Sequence, residues 1–341
     1  MSAPAPSMYS PAAQQRAAAL GLRTGRPNLE VFAETVLELG RQDSQVLVVT
    51  SDSRGSGKLV PFGQALPKQI VEVGIAEQNL VGIAAGLGAA GKRVFAVSPA
   101  CFLTARSLEQ IKADIAYSDH PVTLVGISAG VSYGALGSTH HSLHDLAALR
   151  AINNIDVVVP ADNTETRGAV LAAHEAAHPV YLRFGKAPLY DLPDLGGGFQ
   201  PRRARVLREG RDVAFIANGE TAIHALLAAA ELEATAGLSC RVLSLHTVRP
   251  LDDEAVLRAA ADCRAVITVE EHMVHGGLGE ACAGLLMQSG ARAPFRIVGI
   301  PDEYTVTGSQ ADIFRHYGIS MEGLSRTAAD LVATAATRSG Q

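Results

Sequence analysis

Two segments of this chain bring together residue types that can act on a small molecule. The first is VEVGIAEQNLVGIAAGLGAAG, residues 71–91, in which a β-branched run ends at Gly74 and Glu77 follows in the first turn of an apolar helix. A carboxylate there is favoured by the free N–H groups and the helix dipole, so a helix-start glutamate and a ligand-facing acid are both open on local physics. Gly82, Ala84, Ala85, Gly86 and Gly88 leave one face of this helix almost without side chains, which predicts a closely packed neighbour. Gly86-x-Gly88-x-x-Gly91 also has the spacing of a dinucleotide-binding loop. That loop must follow a strand and open a helix, whereas this one closes a helix, so its glycines read as packing and a C-terminal turn.

The second segment is GISAGVSYGALGSTHHSLHDL, residues 126–146, where His140, His141 and His144 follow a glycine-rich loop. His140 and His144, four apart, could share a helix face and bind zinc, yet no H-E-x-x-H and no third ligand accompany them. A His-rich surface loop is the plain alternative. A third reading has Gly130, Gly134 and Gly137 letting the backbone approach a ligand while His140 offers it a proton or hydrogen bond. In VEEHMVHGGLGEA, residues 269–281, Glu270, Glu271, His272 and His275 form a metal cluster on paper. Close packing around Gly277 and Gly279 explains that segment, and no chemistry is assigned to it.

The elements that must position these residues alternate along the chain. Asn28 is placed to cap a helix whose apolar positions Leu29, Phe32, Val36 and Leu39 recur at helical spacing, with Gly40 closing it. Short apolar strands follow at 46–51, 70–73, 93–98, 122–128, 155–160 and 179–184, separated by helical stretches. Residues 185–203 collect Gly, Pro and Arg without periodicity and read as a linker, after which DVAFIAN, CRVLSLH, AVITVE and FRIVGI make a smaller four-strand unit. The fold class is α/β: two domains, each a mainly parallel β-sheet covered by helices. The divisions are a mobile tail or loosely docked helix over 1–25, a first domain over 26–190, a linker over 191–205 and a second domain over 206–341.

Composition bounds the partners. At roughly 150 residues per domain, 341 residues suggest about two domains. A net charge of −5 with no basic run leaves no electrostatic footprint for nucleic acid or an anionic membrane, so a small molecule is the expected partner. Cys101, Cys240, Cys263 and Cys282 lie far apart without a C-x-x-C pair, which fits a reducing, cytoplasmic chain. No signal-peptide pattern and no apolar run of about 18 residues is visible.

G-I-A-E-Q-N followed by a Gly/Ala helix, then G-V-S-x-G-x-x-G-x-T-H, then D-V-V-V-P-A-D, resembles the C-terminal half of the transketolase family, over about Arg26 to Leu331. The resemblance implies that the first domain binds the aminopyrimidine of thiamine diphosphate and that the second is the family's C-terminal domain. Glu77 would hydrogen-bond the pyrimidine N1′ and favour the tautomer whose exocyclic nitrogen takes the thiazolium C2 proton. Phe102 is the candidate for stacking on the pyrimidine, with a core Phe as the alternative. His140 matches the position that contacts substrate hydroxyls and serves as acid or base. Arg183 matches an arginine that binds the substrate phosphate, and Arg26 and Ser56 fall near the family's other phosphate ligands.

Two departures and one omission qualify the resemblance. The family's hydroxyl-reading Asp is Leu136 here, and a phosphate-binding His is Ser128, which points away from the ordinary pentose phosphates. No metal ligand is assigned to this chain: it contains no G-D-G, the motif that with a downstream Asn holds the diphosphate and its Mg2+. The resemblance therefore implies the second subunit of a split transketolase, needing a separate N-terminal subunit that carries G-D-G, as an α2β2 heterotetramer. The alternatives are a 2-oxoacid decarboxylating subunit, similar to deoxyxylulose-phosphate synthase or a dehydrogenase β subunit, and a non-catalytic scaffold.

Overall fold

The computed structural model describes residues 7–195 and 197–339. Within the segment expected as a mobile tail or loosely docked helix, Pro11–Ala19 is a helix capped by Ser10. It buries Ala13 and Ala17 and is tied to the second half of the chain by an Arg16–Glu231 ion pair of 2.6 Å. Residues 1–6 of that segment lie outside the described residues.

β1 (Thr24–Pro27) leads into the helix Asn28–Gln42. Asn28 is its first turn and not its cap: Pro27 stands at the start, and the Asn28 amide donates to Ala161 O at 3.3 Å, tying this helix to the loop before the helix Asn163–Glu175. Gly40 does not close the helix either, which continues to Gln42; a side chain there would strike Phe62 and Leu66.

The main sheet contains β2 (Val46–Thr50), β3 (Ile70–Glu72), β4 (Arg93–Pro99), β5 (Val122–Ile127), β6 (Asp156–Val158) and β7 (Val180–Arg183), all parallel. β8 (Pro188–Tyr190) leaves this sheet to pair antiparallel with β1, within the stretch that reads as linker. The second sheet contains β9 (Arg205–Arg208), β10 (Val213–Ala217), β11 (Cys240–Ser244), β13 (Ala265–Met273) and β14 (Phe295–Ile300) in the order β14-β13-β10-β11-β9. β10, β11, β13 and β14 are the four expected strands; β9 adds an antiparallel edge. The chain also crosses back once: β12 (Thr247–Arg249) pairs antiparallel with β6, so the main sheet runs β12-β6-β7-β5-β4-β2-β3. Both sheets are covered by helices in two domains, as the resemblance implies.

The central strand β5 is buried at every position, including Leu124, Val125 and Ile127. A strand covered on both faces has no use for polar alternation. Its consequence is a rigid floor, from whose carboxyl end the loops carrying chemistry emerge. Among the described residues no helix is long and apolar enough to cross a membrane.

Candidate active site

Glu77 enters the site from a tight turn. β3 ends at Glu72, Gly74 turns the chain at φ +73°, and the helix Glu77–Ala89 begins at once. Glu77 is 4% exposed, and its two carboxylate oxygens accept from Arg106 Nη1 at 2.9 and 3.1 Å. Arg106 sits one helical turn beyond Phe102 in the helix Ala100–Arg106, and its guanidinium carbon lies 4.1 Å from the centre of the Phe102 ring. That ring and the His140 imidazole meet in a T-shaped contact with centroids 5.4 Å apart. Glu77, Phe102 and His140 therefore form one row, assembled from the carboxyl ends of β3, β4 and β5.

The His140 loop extends the row. Tyr133 packs edge-on against His140, also at 5.4 Å, and the Lys186 ammonium lies 3.8 Å from the Tyr133 ring centre. Thr139 Oγ1 is 2.9 Å from His140 Nδ1, so Nε2 is the ring nitrogen left to face a ligand. Leu136 stands 53% exposed on the rim of the same loop. Ser128 is buried at its root with φ +53°, a conformation L residues seldom adopt.

Arg183 is not in this row. It is 4% exposed, with Nε 2.8 Å from Asp145 Oδ2 and Nη2 donating to Ser142 O at 3.0 Å and Glu271 O at 2.9 Å. Burial alone would raise the Asp145 carboxyl, but Arg183, His272 and the Tyr181 hydroxyl together hold it below the usual range. Arg183, expected to bind a substrate phosphate, is turned away from the row in this structure, and its guanidinium joins the two domains. Arg26 and Ser56 make their contacts away from the row. Arg26 grips Glu34 through two bonds of 2.6 Å on the exposed face of Asn28–Gln42, and Ser56 Oγ donates to Ser53 O at 3.1 Å.

The paper metal clusters also come apart. His141 Nδ1 meets Thr305 Oγ1 at 2.6 Å, whereas His144 Nε2 faces Thr104 Oγ1 at 3.3 Å. Glu270 accepts the backbone N–H groups of Leu278 and Gly279, Glu271 accepts that of Val131, and His275 pairs with Glu280. Along the helix Glu77–Ala89 the predicted close packing is found at Ala84 and Ala85, both buried, and at Gly88, against Val122; Gly82 and Gly86 meet nothing within 4 Å among the described residues.

Residues 27–190 match the transketolase pyrimidine binding domain and residues 202–324 the transketolase C-terminal domain. The chain is 46% identical over 302 residues to an apulose-4-phosphate transketolase subunit of Phocaeicola vulgatus, spanning 88% of this chain and 96% of that protein. The chain belongs to the transketolase family. It is also 34% identical to a 6-deoxy-6-sulfo-D-fructose transketolase subunit of a Clostridium species, over 88% of this chain and 92% of that one. A solved structure described as a split gene transketolase, inactive beta4 tetramer, superposes with a TM-score of 0.81 at 34% identity, covering 91% of this chain and 99% of that one.

Within this transketolase chain, three residues of the row escape a reading of the sequence. Arg106 carries a visible signal, since it lies four residues from Phe102 and so on the same helix face. Tyr133 and Lys186 carry none, because 53 residues of chain separate a pair that the fold lays ring against ammonium. Lys186 has no carboxylate within ion-pair distance among the described residues; partial burial of its ammonium lowers its pKa.

Proposed function

We propose that this chain is the pyrimidine-domain subunit of a split, thiamine-diphosphate-dependent transketolase that moves a two-carbon ketol unit from a ketose to an aldose. The observation that carries this is the placement of Arg106. One flat guanidinium both donates to the Glu77 carboxylate and lies on the Phe102 ring, so acid and ring converge on one flat, donor-bearing group. The residues therefore fit an aminopyrimidine. Thiamine diphosphate, when bound, supplies the carbon nucleophile for the transfer.

The chain's own residues do the rest. Glu77, kept out of water, would hold the proton at the pyrimidine N1′, and Phe102 would fix the ring plane. His140, with Nδ1 committed to Thr139, presents Nε2 to substrate oxygens. Lys186 takes the role expected of Arg183 as the cation facing an anionic group on the sugar, since Arg183 is sealed away. Exposed Leu136 cannot accept a hydrogen bond, which favours a deoxy, differently configured or otherwise modified ketose; the names of the relatives, an apulose phosphate and a sulfo-sugar transketolase, lie in that direction.

The reading requires a partner. A second chain with G-D-G and a downstream Asn would hold the diphosphate and Mg2+, face the open glycine side of the helix Glu77–Ala89, and form an α2β2 heterotetramer in the cytoplasm. Two of the relatives support this division: one is named as a single subunit of its transketolase, and the other is a split-gene transketolase whose tetramer of one chain type is inactive. The test is a screen of phosphorylated and modified ketoses with the assembled complex. Ketose-dependent transfer to an aldose without carbon dioxide release supports the reading; carbon dioxide release from a 2-oxoacid would replace it with decarboxylation.

A further inference from the structure

The second domain touches the His140 loop at points that its fold alone does not require. Glu271, on β13, accepts the Val131 N–H at 2.8 Å, and its carboxyl lies so close to Gly130 that an added Cβ would fall 2.2 Å from Cδ. Glu220, which follows β10, lies against Gly185 in the same way, with its Oε1 1.9 Å from where a Cβ would stand. Gln310 Nε2 donates to both carboxyls, at 2.7 Å to Glu220 and 2.8 Å to Glu271. Gly130 begins the loop that carries Tyr133 and His140, and Gly185 precedes Lys186.

The charges around the pair do not balance if both acids are ionised. Glu220 and Glu271 are 5% and 3% exposed. The groups that face them are Arg183 from β7, Asp145 from the helix that follows the His140 loop, and Tyr9 from the N-terminal segment. Arg183 is the one cation in that set, and Asp145 already holds it. Two carboxylates flanking one amide nitrogen in a buried site repel, so one of them keeps a proton. Glu271 has the better claim to the charge, because its Oε1 accepts two N–H groups, while Glu220 Oε1 has no partner. Burial pushes both acids above the usual carboxylate range, with the Glu271 carboxylate adding to the rise at Glu220 and Asp145 adding to it at Glu271.

We propose that Glu220 and Glu271 share one proton and, bridged by Gln310, act as positioning residues that set the backbone at Gly130–Val131 and Gly185 and thereby the reach of His140 and Lys186. This gives the second domain a part in donor binding, and it rests on the proposed function insofar as His140 and Lys186 face the sugar. Glu77 and Phe102 stand on segments that the pair does not touch, so cofactor binding is independent of it.

The test uses the assembled complex with its partner chain. Glu271→Gln should raise the KM for the donor ketose about tenfold while the affinity for thiamine diphosphate stays at the wild-type value. An unchanged donor KM, or a cofactor affinity that falls in step with it, would overturn the positioning role. If Glu271→Gln does not assemble, Gln310→Met removes the same bridge without changing charge and must give the same split. The shared proton has its own readout in the thermal melting of this chain between about pH 5 and about pH 9. A carboxyl whose folded pKa is raised keeps its proton where the unfolded chain has lost it, so stability falls as pH rises through that interval. Glu220→Gln should remove part of the decline; a decline identical to wild type contradicts the shared proton. A wild-type complex without ketose turnover would sink the functional reading, while the melting comparison would still report on the pair.

Discussion

The row from Glu77 to Lys186 and the seam around Arg183 are built from similar residues and finished to opposite degrees. In the seam, Arg183, Asp145 and Tyr181 are buried, and Asp145 is bonded by both of the others. In the row, among the described residues, Glu77 is paired with Arg106, itself about half exposed, Lys186 lies on a ring with no carboxylate within ion-pair distance, and Gly82 and Gly86 beside Glu77 meet nothing within 4 Å. A buried charge that is fully paired belongs to the architecture, whereas charges and rings gathered at an open edge with contacts to spare are available to a ligand. This contrast places Arg183 in the framework although its position in the sequence suggests a phosphate ligand.

The sharpest way to break the contrast is to exchange charge for isostere on each side. Glu77→Gln should lower kcat of the assembled enzyme by about 10²–10⁴-fold with no change in melting temperature or assembly, as expected for loss of a proton-handling group. Full activity would favour the scaffold alternative. Arg183→Met should do the reverse at the level of the fold, costing about 3–5 kcal/mol in urea unfolding because Asp145 is left buried and unpaired. Asp145 also gives that seam a pH signature. Its folded pKa is depressed, so its contribution is present above the usual carboxylate range and is lost as pH falls through the folded value; Asp145→Asn should flatten the acid limb of the stability curve.

Smaller effects sharpen the boundary between the regions. Leu136→Asp restores a carboxylate at an exposed rim position, and a charge-assisted hydrogen bond of about 1.5–3 kcal/mol should shift the ratio of kcat/KM between hydroxylated and deoxy ketoses by one to two orders of magnitude. An unchanged ratio would remove Leu136 from the specificity argument. Arg16→Ala loosens the N-terminal helix from Glu231 and should cost less than about 1 kcal/mol, since that pair is partly solvated. A larger loss, read by urea unfolding, would make this helix part of the framework in its own right.

What is legible in the sequence follows the range of the interactions. Continuous apolar runs separated by helical periods reveal the parallel sheets because each run is buried on both faces by its own neighbours, as β5 is. The pairing of β12 with β6 is hidden: three residues, Thr247–Arg249, carry no period, and their partner lies 89 residues earlier at Val158. His140 can be named from a motif and Phe102 from the resemblance, and the fold brings their rings together. Arg183 misleads because a strand-end arginine looks the same whether it faces solvent or an acid 38 residues away in the chain, and only tertiary structure supplies Asp145. Arg106 is legible in the sequence, being one helical turn from Phe102.

The central claim is that this chain holds one half of a thiamine-diphosphate site and is inert without the other half. The direct measurement is calorimetric titration of thiamine diphosphate and Mg2+ into this chain alone, into a copurifying G-D-G chain alone, and into their complex, with ketose turnover followed in each. Tight cofactor binding and turnover are expected in the complex only, with turnover lost in Glu77→Gln. Tight binding and turnover by this chain alone would contradict the claim.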